Sequence, residues 1–177
     1  MDTLKAILTR RSIRKFRQEP VPPERLKTII EAGMYAPSAR NEQPWHFIVI
    51  TERDIMDEIM HAHPYASMLD KAPVAILVCG DTGLEKSPGY WSVDCAAATQ
   101  NMLLAAHAAG IGSVWLGVHP RQGRKDALRK ICGLPSHVEP FSLIALGYPD
   151  EAKEKPDRWR KERVHSNRWN EPSGWSI

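Results

Sequence analysis

Basic side chains near both ends of the chain are the residues best suited to binding an anion. The sequence RRSIRKF begins at Arg10. If this segment is extended, alternation places Arg10, Ser12 and Arg14 on one side of the backbone. Two guanidinium groups flanking a hydroxyl suit a phosphate or another multi-oxygen anion, whereas a solvated basic turn is the alternative interpretation. A second basic pair, Lys161 and Arg163, lies near the other end of the chain.

A polar segment bounded by prolines is a second candidate for ligand binding. It reads APSARNEQPW and begins at Ala36. Its prolines fix the backbone and would aim Ser38, Asn41 and Gln43 at a ligand, although such a loop can also be plain surface. Together with the two basic groups, this loop predicts a phosphorylated cofactor that supplies the reactivity itself.

Several other chemistries find no support in the sequence. The chain has no GxSxG motif and no cysteine with an arranged base. Gly110-Ile-Gly112 follows a predicted helix and lacks a third glycine, so it is not a dinucleotide fingerprint. The three cysteines form no CxxC motif, and His61 and His63 have no partner at a metal-ligand spacing. We therefore predict no metal site, solvated histidines, and no side chain acting as catalytic acid or base.

The longest apolar stretch predicts the element around which the chain is organised. Ser92, as N-cap, opens a helix that is apolar nearly all round and ends at Gly110. Such a helix is buried on most sides, and its alanines would let a partner backbone approach closely at a subunit interface. Its polar residues and the glycine break argue against a membrane span. A strand follows over 112–118.

Helices alternate with strands along the rest of the chain, which predicts an α/β or α+β sandwich around one sheet. A single domain is expected over 1–177, because this length is typical of one domain and no repeat is visible. Residues from about 150 to 177 form a tail without core periodicity. The expected helices are 2–9, 23–34, 53–61 and 121–132, and the expected strands are 45–51, 73–80 and 141–147.

Charge and the aromatic residues of the tail limit the partners. The net charge of +3 does not by itself imply a polyanion. Acidic residues among the bases of the tail argue against nucleic acid. Trp159, Trp169 and Trp175 have no local core, so we expect them to pack on another subunit. The N-terminus lacks the features of a signal peptide, which predicts a cytoplasmic protein.

Five motifs in this order and spacing make the whole chain resemble the FMN-dependent nitroreductase family. They are RRSIRKF, APSARNEQPW, AAGIGSVWLG after the alanine-rich helix, LGYP at the last strand, and KER beyond it. The chain resembles the compact members, which lack a large insertion over the active site. The resemblance implies an α+β fold, a three-layer α/β/α sandwich. It has a central mixed sheet, a buried central helix and a C-terminal arm exchanged in a homodimer.

The resemblance implies an NAD(P)H-dependent FMN oxidoreductase with two FMN sites at the dimer interface. Hydride would pass from the nicotinamide to FMN and then to a nitroaromatic, a quinone or a similar acceptor. Three alternatives remain open: a flavin-cleaving or dehalogenating enzyme on the same fold, a non-enzymatic flavin-binding protein, and a nucleic-acid-binding module. The expected partners are a second copy of the chain and a small-molecule acceptor, with neither nucleic acid nor membrane.

The family pattern also implies roles for individual residues. One chain would supply groups for the phosphate, the ribityl chain and the pyrimidine end of the ring: Arg10, Arg11, Ser12 and Arg14. The other subunit would supply the polar loop: Pro37, Ser38, Ala39 and Asn41, with Gln43 close by. The ring face would be lined by Trp115, Leu116 and Gly117, where a backbone amide reaches the reactive ring nitrogen. Lys161 and Arg163 would complete the phosphate site.

Two departures from the larger family members concern the ring. Those members have a glutamate where Leu116 stands, so only the backbone role is implied there. They also have a polar Asn/Lys pair before the second strand, where this chain has Pro64-Tyr-Ala-Ser67. The second departure leaves the flavin edge without the polar side chains used elsewhere in the family.

Overall fold

The computed structural model describes residues 1–169, 171 and 174, so Trp175 lies outside the described residues. The α-helices are α1 (Thr3–Thr9), α2 (Pro23–Met34), α3 (Arg53–Ala62), α4 (Trp91–Ala108) and α5 (Gln122–Ile131). The strands are β1 (Trp45–Ile50), β2 (Val74–Asp81), β3 (Gly112–Gly117) and β4 (Val138–Gly147). Short 3-10 turns cover Ala39–Asn41, Ser67–Asp70, Thr82–Leu84 and Lys161–Arg163.

The four strands form one sheet in the order β1-β2-β4-β3, and neighbouring strands run antiparallel. The two central strands are buried along nearly their whole length, as their continuous apolar sequences require. The sequence predicted a mixed sheet. In the part of the chain that the structure describes, parallel pairing is limited to an isolated bridge between Ser12 and Ser113.

Helices cover both faces of this sheet and give the predicted three layers. On one face, Ile29 of α2 and Met102 of α4 pack in a core with alternate residues of β2 such as Ile76. On the other, Met56 of α3 and Leu128 of α5 pack in a second core. The side chains of β2 alternate between the two cores because successive residues of a strand point to opposite faces.

The central helix α4 begins two residues earlier than predicted, and Ser92 is not its N-cap. Tyr90 is the N-cap residue, and the first helical amide, Trp91 N–H, donates to Glu85 Oε1 at 3.1 Å. A carboxylate from the preceding loop therefore does what the serine was expected to do. The buried side of α4 faces the sheet, whereas Val93 is 60% exposed in the single chain.

Strand β4 starts three residues before the predicted position. Pro140 has no amide hydrogen to donate to a neighbouring strand. The structure accommodates it at a register shift between Val78 and Cys79 of β2, where Cys79 lies opposite Pro140. A local bulge thus lets the chain continue in the sheet.

The three cysteines are free thiols. Cys79 and Cys95 are fully buried, and Cys132 is partly buried. Burial raises the pKa of the Cys79 thiol to about 12 and raises the pKa of Cys95 as well. Within the described residues, none of the helices is both long enough and apolar enough to cross a membrane.

Candidate functional site

The predicted anion-binding segment lies against the outer edge of β3. The Ile13 N–H donates to the Ser113 carbonyl at 3.0 Å, which sets Ser12 beside Ser113. Gly112 permits this approach, because a Cβ there would lie 2.9 Å from Ile13 Cγ2. The N-terminal segment is therefore packed against the sheet as part of the domain and is not a solvated basic turn.

The same edge carries the backbone groups of the predicted ring-binding residues. Since the Ser113 carbonyl faces outward, away from β4, alternation directs the backbone polar groups of Trp115 and Gly117 to the same outer edge. Gly117 is exposed, and a Cβ at this position would meet nothing within 4 Å. Leu116 is instead buried in the core, so its side chain is not available to a ligand.

His63 was predicted to be solvated, and this prediction was wrong. The side chain is 2% exposed, and its Nε2 lies 3.0 Å from the Gly117 carbonyl oxygen. Arg124 Nη1 donates to the same carbonyl at 2.7 Å. Neither contact is visible in the sequence, because His63 and Arg124 come from helices whose docking onto the end of β3 no local pattern predicts.

Positive charge is concentrated beside the N-terminal segment. Arg10 is half-buried, and its pKa is lowered first by desolvation and then by the nearby Arg158 and Arg11. Arg11 Nε donates to the Glu154 carbonyl at 3.0 Å. Within the part of the chain that the structure describes, none of these three guanidinium groups is within salt-bridge distance of a carboxylate.

A cleft of about 640 Å³ opens at this cluster, and Arg11, Arg158 and Trp159 are among its lining residues. Uncompensated, partly desolvated guanidinium groups beside an open cleft suit a phosphate dianion. The donor set therefore fits the phosphate group predicted from the sequence.

The structure assigns Arg158 to this cluster, which sequence reasoning had missed. The signal was present, because the stretch RWRKER contains several bases, but the sequence favoured its last two. Lys161 and Arg163 lie in an exposed turn. The single chain shows neither of them in contact with Arg10 among the described residues. Their predicted role in the phosphate site stays a prediction.

The polar loop has a tightly specified conformation. The Gln43 N–H donates to Ser38 Oγ at 3.0 Å, and Gln43 Nε2 donates to Asn41 Oδ1 at 3.2 Å. Arg40, Asn41 and Gln43 all have φ between 48° and 56°. Such backbone conformations are costly for residues other than glycine and persist where surrounding contacts enforce them, often at functional sites.

Two carboxylates are buried here, Glu42 within the loop and Asp94 in the first turn of α4, and neither was predicted to be buried. Asp94 Oδ1 accepts the Ala39 N–H at 3.1 Å and so fixes the loop to the first turn of α4. Burial is the main cause that raises the pKa of Asp94, and the neighbouring Glu42 and Glu85 carboxylates contribute further. The bond between Asp94 and Ala39 joins two segments far apart in the chain, so no local pattern predicts it.

The two predicted groups are far apart within one chain. The N-terminal segment lies near the end of α4, where Thr9 Oγ1 is 2.8 Å from His107 Nε2. The polar loop is fixed at the start of α4 by Asp94. Asp94 and His107 are thirteen residues apart on one helix, which separates the two contacts by about 20 Å. The single chain therefore does not bring the loop 37–43 and the segment 10–14 to one small ligand.

Comparison with known proteins identifies the family. A sequence profile of the Nitroreductase family matches residues 7–63 and 58–148. The chain is 49% identical over 169 residues to a provisionally named NADH dehydrogenase/NAD(P)H nitroreductase of Methanothermobacter thermautotrophicus, covering 96% of this chain and 88% of that protein. The chain therefore belongs to the nitroreductase family, whose named relatives are NAD(P)H-dependent oxidoreductases.

Solved structures support the same assignment. A protein of the same provisional name from Parabacteroides distasonis superposes with a TM-score of 0.91 at 41% identity, covering 94% of this chain and 98% of that chain. A nitroreductase-type protein from Desulfovibrio desulfuricans, solved with FMN, gives a TM-score of 0.83 at 32% identity, covering 96% and 98%. The predicted nitroreductase-like fold is thereby confirmed.

Proposed function

We propose that the chain is an NAD(P)H-dependent FMN oxidoreductase that works as a homodimer with two flavin sites. The observation that carries this proposal is the uncompensated cluster of Arg10, Arg11 and Arg158 beside the open edge of β3. The family membership and the FMN named for a solved relative supply the identity of the phosphorylated cofactor.

Different residues bind different parts of the cofactor, according to their chemistry. The guanidinium groups of Arg10, Arg11 and Arg158 bind the phosphate, and Lys161 and Arg163 complete its environment when the tail takes its place in the dimer. Ser12 and the outer edge of β3 border the ribityl chain and the ring. Charge-assisted hydrogen bonds of this kind are about twice as strong as neutral ones, so they account for retention of the cofactor.

The ring would lie along Trp115 and Gly117, and since the Gly117 carbonyl already binds His63 and Arg124, its amide is the group that would face the ring. The Gly117 N–H would donate toward the reactive ring nitrogen, and Arg14 would place a positive charge at the pyrimidine end. The chemistry that bound FMN would supply is hydride transfer between the nicotinamide and the acceptor. A fixed cation near the developing negative charge stabilises the reduced ring. No side chain is assigned as proton donor, and solvent supplies the proton.

The second subunit supplies the loop with Pro37, Ser38, Ala39, Asn41 and Gln43. The separation of about 20 Å along α4 supports this arrangement, because one chain cannot present both groups to the same ring. Exposed apolar residues support an interface as well. Trp159 is 55% exposed and Trp169 is 80% exposed in the single chain, in keeping with a tail that packs on a partner.

The acceptor is proposed to be a nitroaromatic, a quinone or a similar small oxidant. The connection between β2 and α4 spans only residues 82–90, which leaves the ring side without a large covering insertion. An open site favours planar acceptors that replace the oxidised nicotinamide on the same face.

The test begins with the purified protein. It should be yellow, and heat denaturation should release FMN, identified by mass, and not FAD. NADH and NADPH are then oxidised in turn against a panel of nitroaromatics and quinones. A colourless protein that ignores added FMN would refute the proposal. Bound FMN without nicotinamide oxidation would favour flavin storage, and halide release or flavin cleavage would favour the two enzymatic alternatives.

A further inference from the structure

We infer that His63 and Arg124 are positioning residues for the flavin ring, because together they hold the Gly117 carbonyl at the end of β3. We call this arrangement of His63, Arg124 and the Gly117 carbonyl the carbonyl clamp. The inference rests on the proposed function, since that proposal sets Gly117 beside the ring.

Both ring nitrogens of His63 are engaged, which fixes its tautomer. The Tyr65 N–H donates to Nδ1 at 3.2 Å, so Nδ1 is the acceptor and carries no hydrogen. Nε2 must then carry the hydrogen and donate it to the Gly117 oxygen at 3.0 Å. A neutral, fully buried imidazole held at both ends is a rigid donor.

Arg124 holds the same oxygen from another direction. Its Nη1 donates to Gly117 at 2.7 Å, and its guanidinium carbon lies 5.3 Å from the centre of the Tyr65 ring. Tyr65 thus makes two contacts in the carbonyl clamp: its backbone amide donates to His63, and its ring stacks against the Arg124 guanidinium. The stacking orients the planar guanidinium and leaves its positive charge at the end of β3.

The position of Gly117 in the sheet explains why its carbonyl needs to be held. Gly117 is the last residue of an edge strand, so β4 does not hold its outward groups. Glycine also has more backbone freedom than any other residue. In extended backbone the N–H and C=O of one residue point to the same side of the strand. Fixing the Gly117 carbonyl with two donors therefore also fixes the direction of its amide, which is the group proposed to face the ring.

The carbonyl clamp also involves the segment Pro64-Tyr-Ala-Ser67, where this chain departs from the sequence pattern of the larger family members. This chain lacks the polar pair that larger relatives carry there, and Tyr65 stands in that segment. Arg124 lies over Tyr65 and brings a positive charge to the same place from α5. We therefore expect Arg124 to stabilise the reduced, more negative flavin, through its charge and through the amide that it helps to orient.

The first experiment measures the position of Gly117 without using turnover. Backbone ¹⁵N relaxation gives the order parameter of the Gly117 amide in the FMN-free and FMN-bound full chain. Wild type should show a rigid value of about 0.85, and Arg124→Met should lower it toward about 0.6. His63→Gln, which keeps a donor near the Nε2 position, should lower it less than His63→Leu. Lys130→Met, at an exposed site further along α5, is the matched control and should leave it unchanged.

The second experiment measures the flavin reduction potential of the same variants. Arg124→Met should shift the potential to a lower value, Arg124→Lys should restore most of the shift, and Lys130→Met should have no effect. A purely structural role would lower stability without moving the potential. An unchanged order parameter in Arg124→Met and His63→Leu would overturn the inference.

The two experiments separate failure of the clamp from failure of the proposed function. If wild-type protein binds no FMN, the proposed function fails, and the inference that depends on it fails with it. If wild type binds FMN and turns over, but Arg124→Met frees Gly117 without shifting the potential, the clamp does not serve the flavin and only this inference is overturned.

Discussion

Chain complementation offers a sharp test of a site built from two subunits. One variant carries Arg10→Ala and Arg14→Ala, which removes the cations of the N-terminal segment. The other carries Asn41→Gly and Gln43→Gly in the polar loop. Both loop residues have positive φ, which glycine adopts without strain, so the loop backbone is retained. Each variant alone should bind FMN weakly.

The expected magnitude follows from the number of lost bonds and from symmetry. Two charge-assisted hydrogen bonds at about 1.5–3 kcal/mol each imply at least about a hundredfold weaker binding for the double arginine variant. When the two chains are co-expressed at equal levels, random pairing makes half of the dimers mixed. Each mixed twofold dimer has one unaltered site and one site with all four changes, so about one quarter of the wild-type FMN per chain should return.

The assay is the flavin absorbance per chain after gel filtration at an FMN concentration between the two dissociation constants. The control pairs a chain carrying only Arg10→Ala with a chain carrying only Arg14→Ala. Both changes then lie in the same segment, every site is altered, and no full-affinity site should return. Absence of FMN recovery in the first mixture would refute the reasoning, because a site within one chain is altered in every molecule.

Three further predictions concern the ring, the core and pH. Arg14→Ala should lower the flavin reduction potential, whereas Arg163→Ala should mainly weaken FMN binding and leave the potential nearly unchanged; potentials and FMN titration would show an exchange of the two effects. In urea unfolding, Gly80→Ala should lower the free energy of unfolding by about 1–3 kcal/mol, because its Cβ would lie 2.5 Å from an indole carbon. The control Gly123→Ala, in open space on α5, should leave the free energy of unfolding unchanged or raise it slightly. Burial lowers the pKa of His63 below its ordinary value of 6.5. The contribution of His63 to the free energy of unfolding should therefore be complete above about pH 6.5 and decline as the pH falls toward the folded-state pKa. His63→Gln should flatten this part of the plot of unfolding free energy against pH.

The elements of the fold were largely predictable because their signals are local. Apolar periodicity and the positions of glycine and proline located the helices and strands to within a few residues. The exceptions have identifiable causes. Glu85 replaced Ser92 as the group that satisfies the first amide of α4, and a bulge at Phe141 of β4 accommodated Pro140. Both depend on a partner from another segment, which periodicity does not reveal.

The candidate site was predictable where residue type alone carries the chemistry. The arginines of the N-terminal segment predict an anion site from their charge alone. The prolines and polar residues of the loop predict a ligand-binding segment with a fixed backbone. His63 and Arg158 were missed because their roles come from docking. One histidine in HAHPY looks the same whether it is solvated or fully buried on a strand carbonyl. Arg158 is one of several bases, and only its position beside Arg10 distinguishes it.

The burial of the thiols gives the protein chemical durability. Cys95 lies in the core between the sheet and α4, Cys79 lies in the core on the opposite face of the sheet, and both are fully shielded from solvent. With the pKa of Cys79 raised to about 12, almost none of this thiol is ionised near neutral pH. Thiolates are the forms that oxidants and electrophiles attack. Burial thereby keeps the sulfur of the core inert toward such reagents.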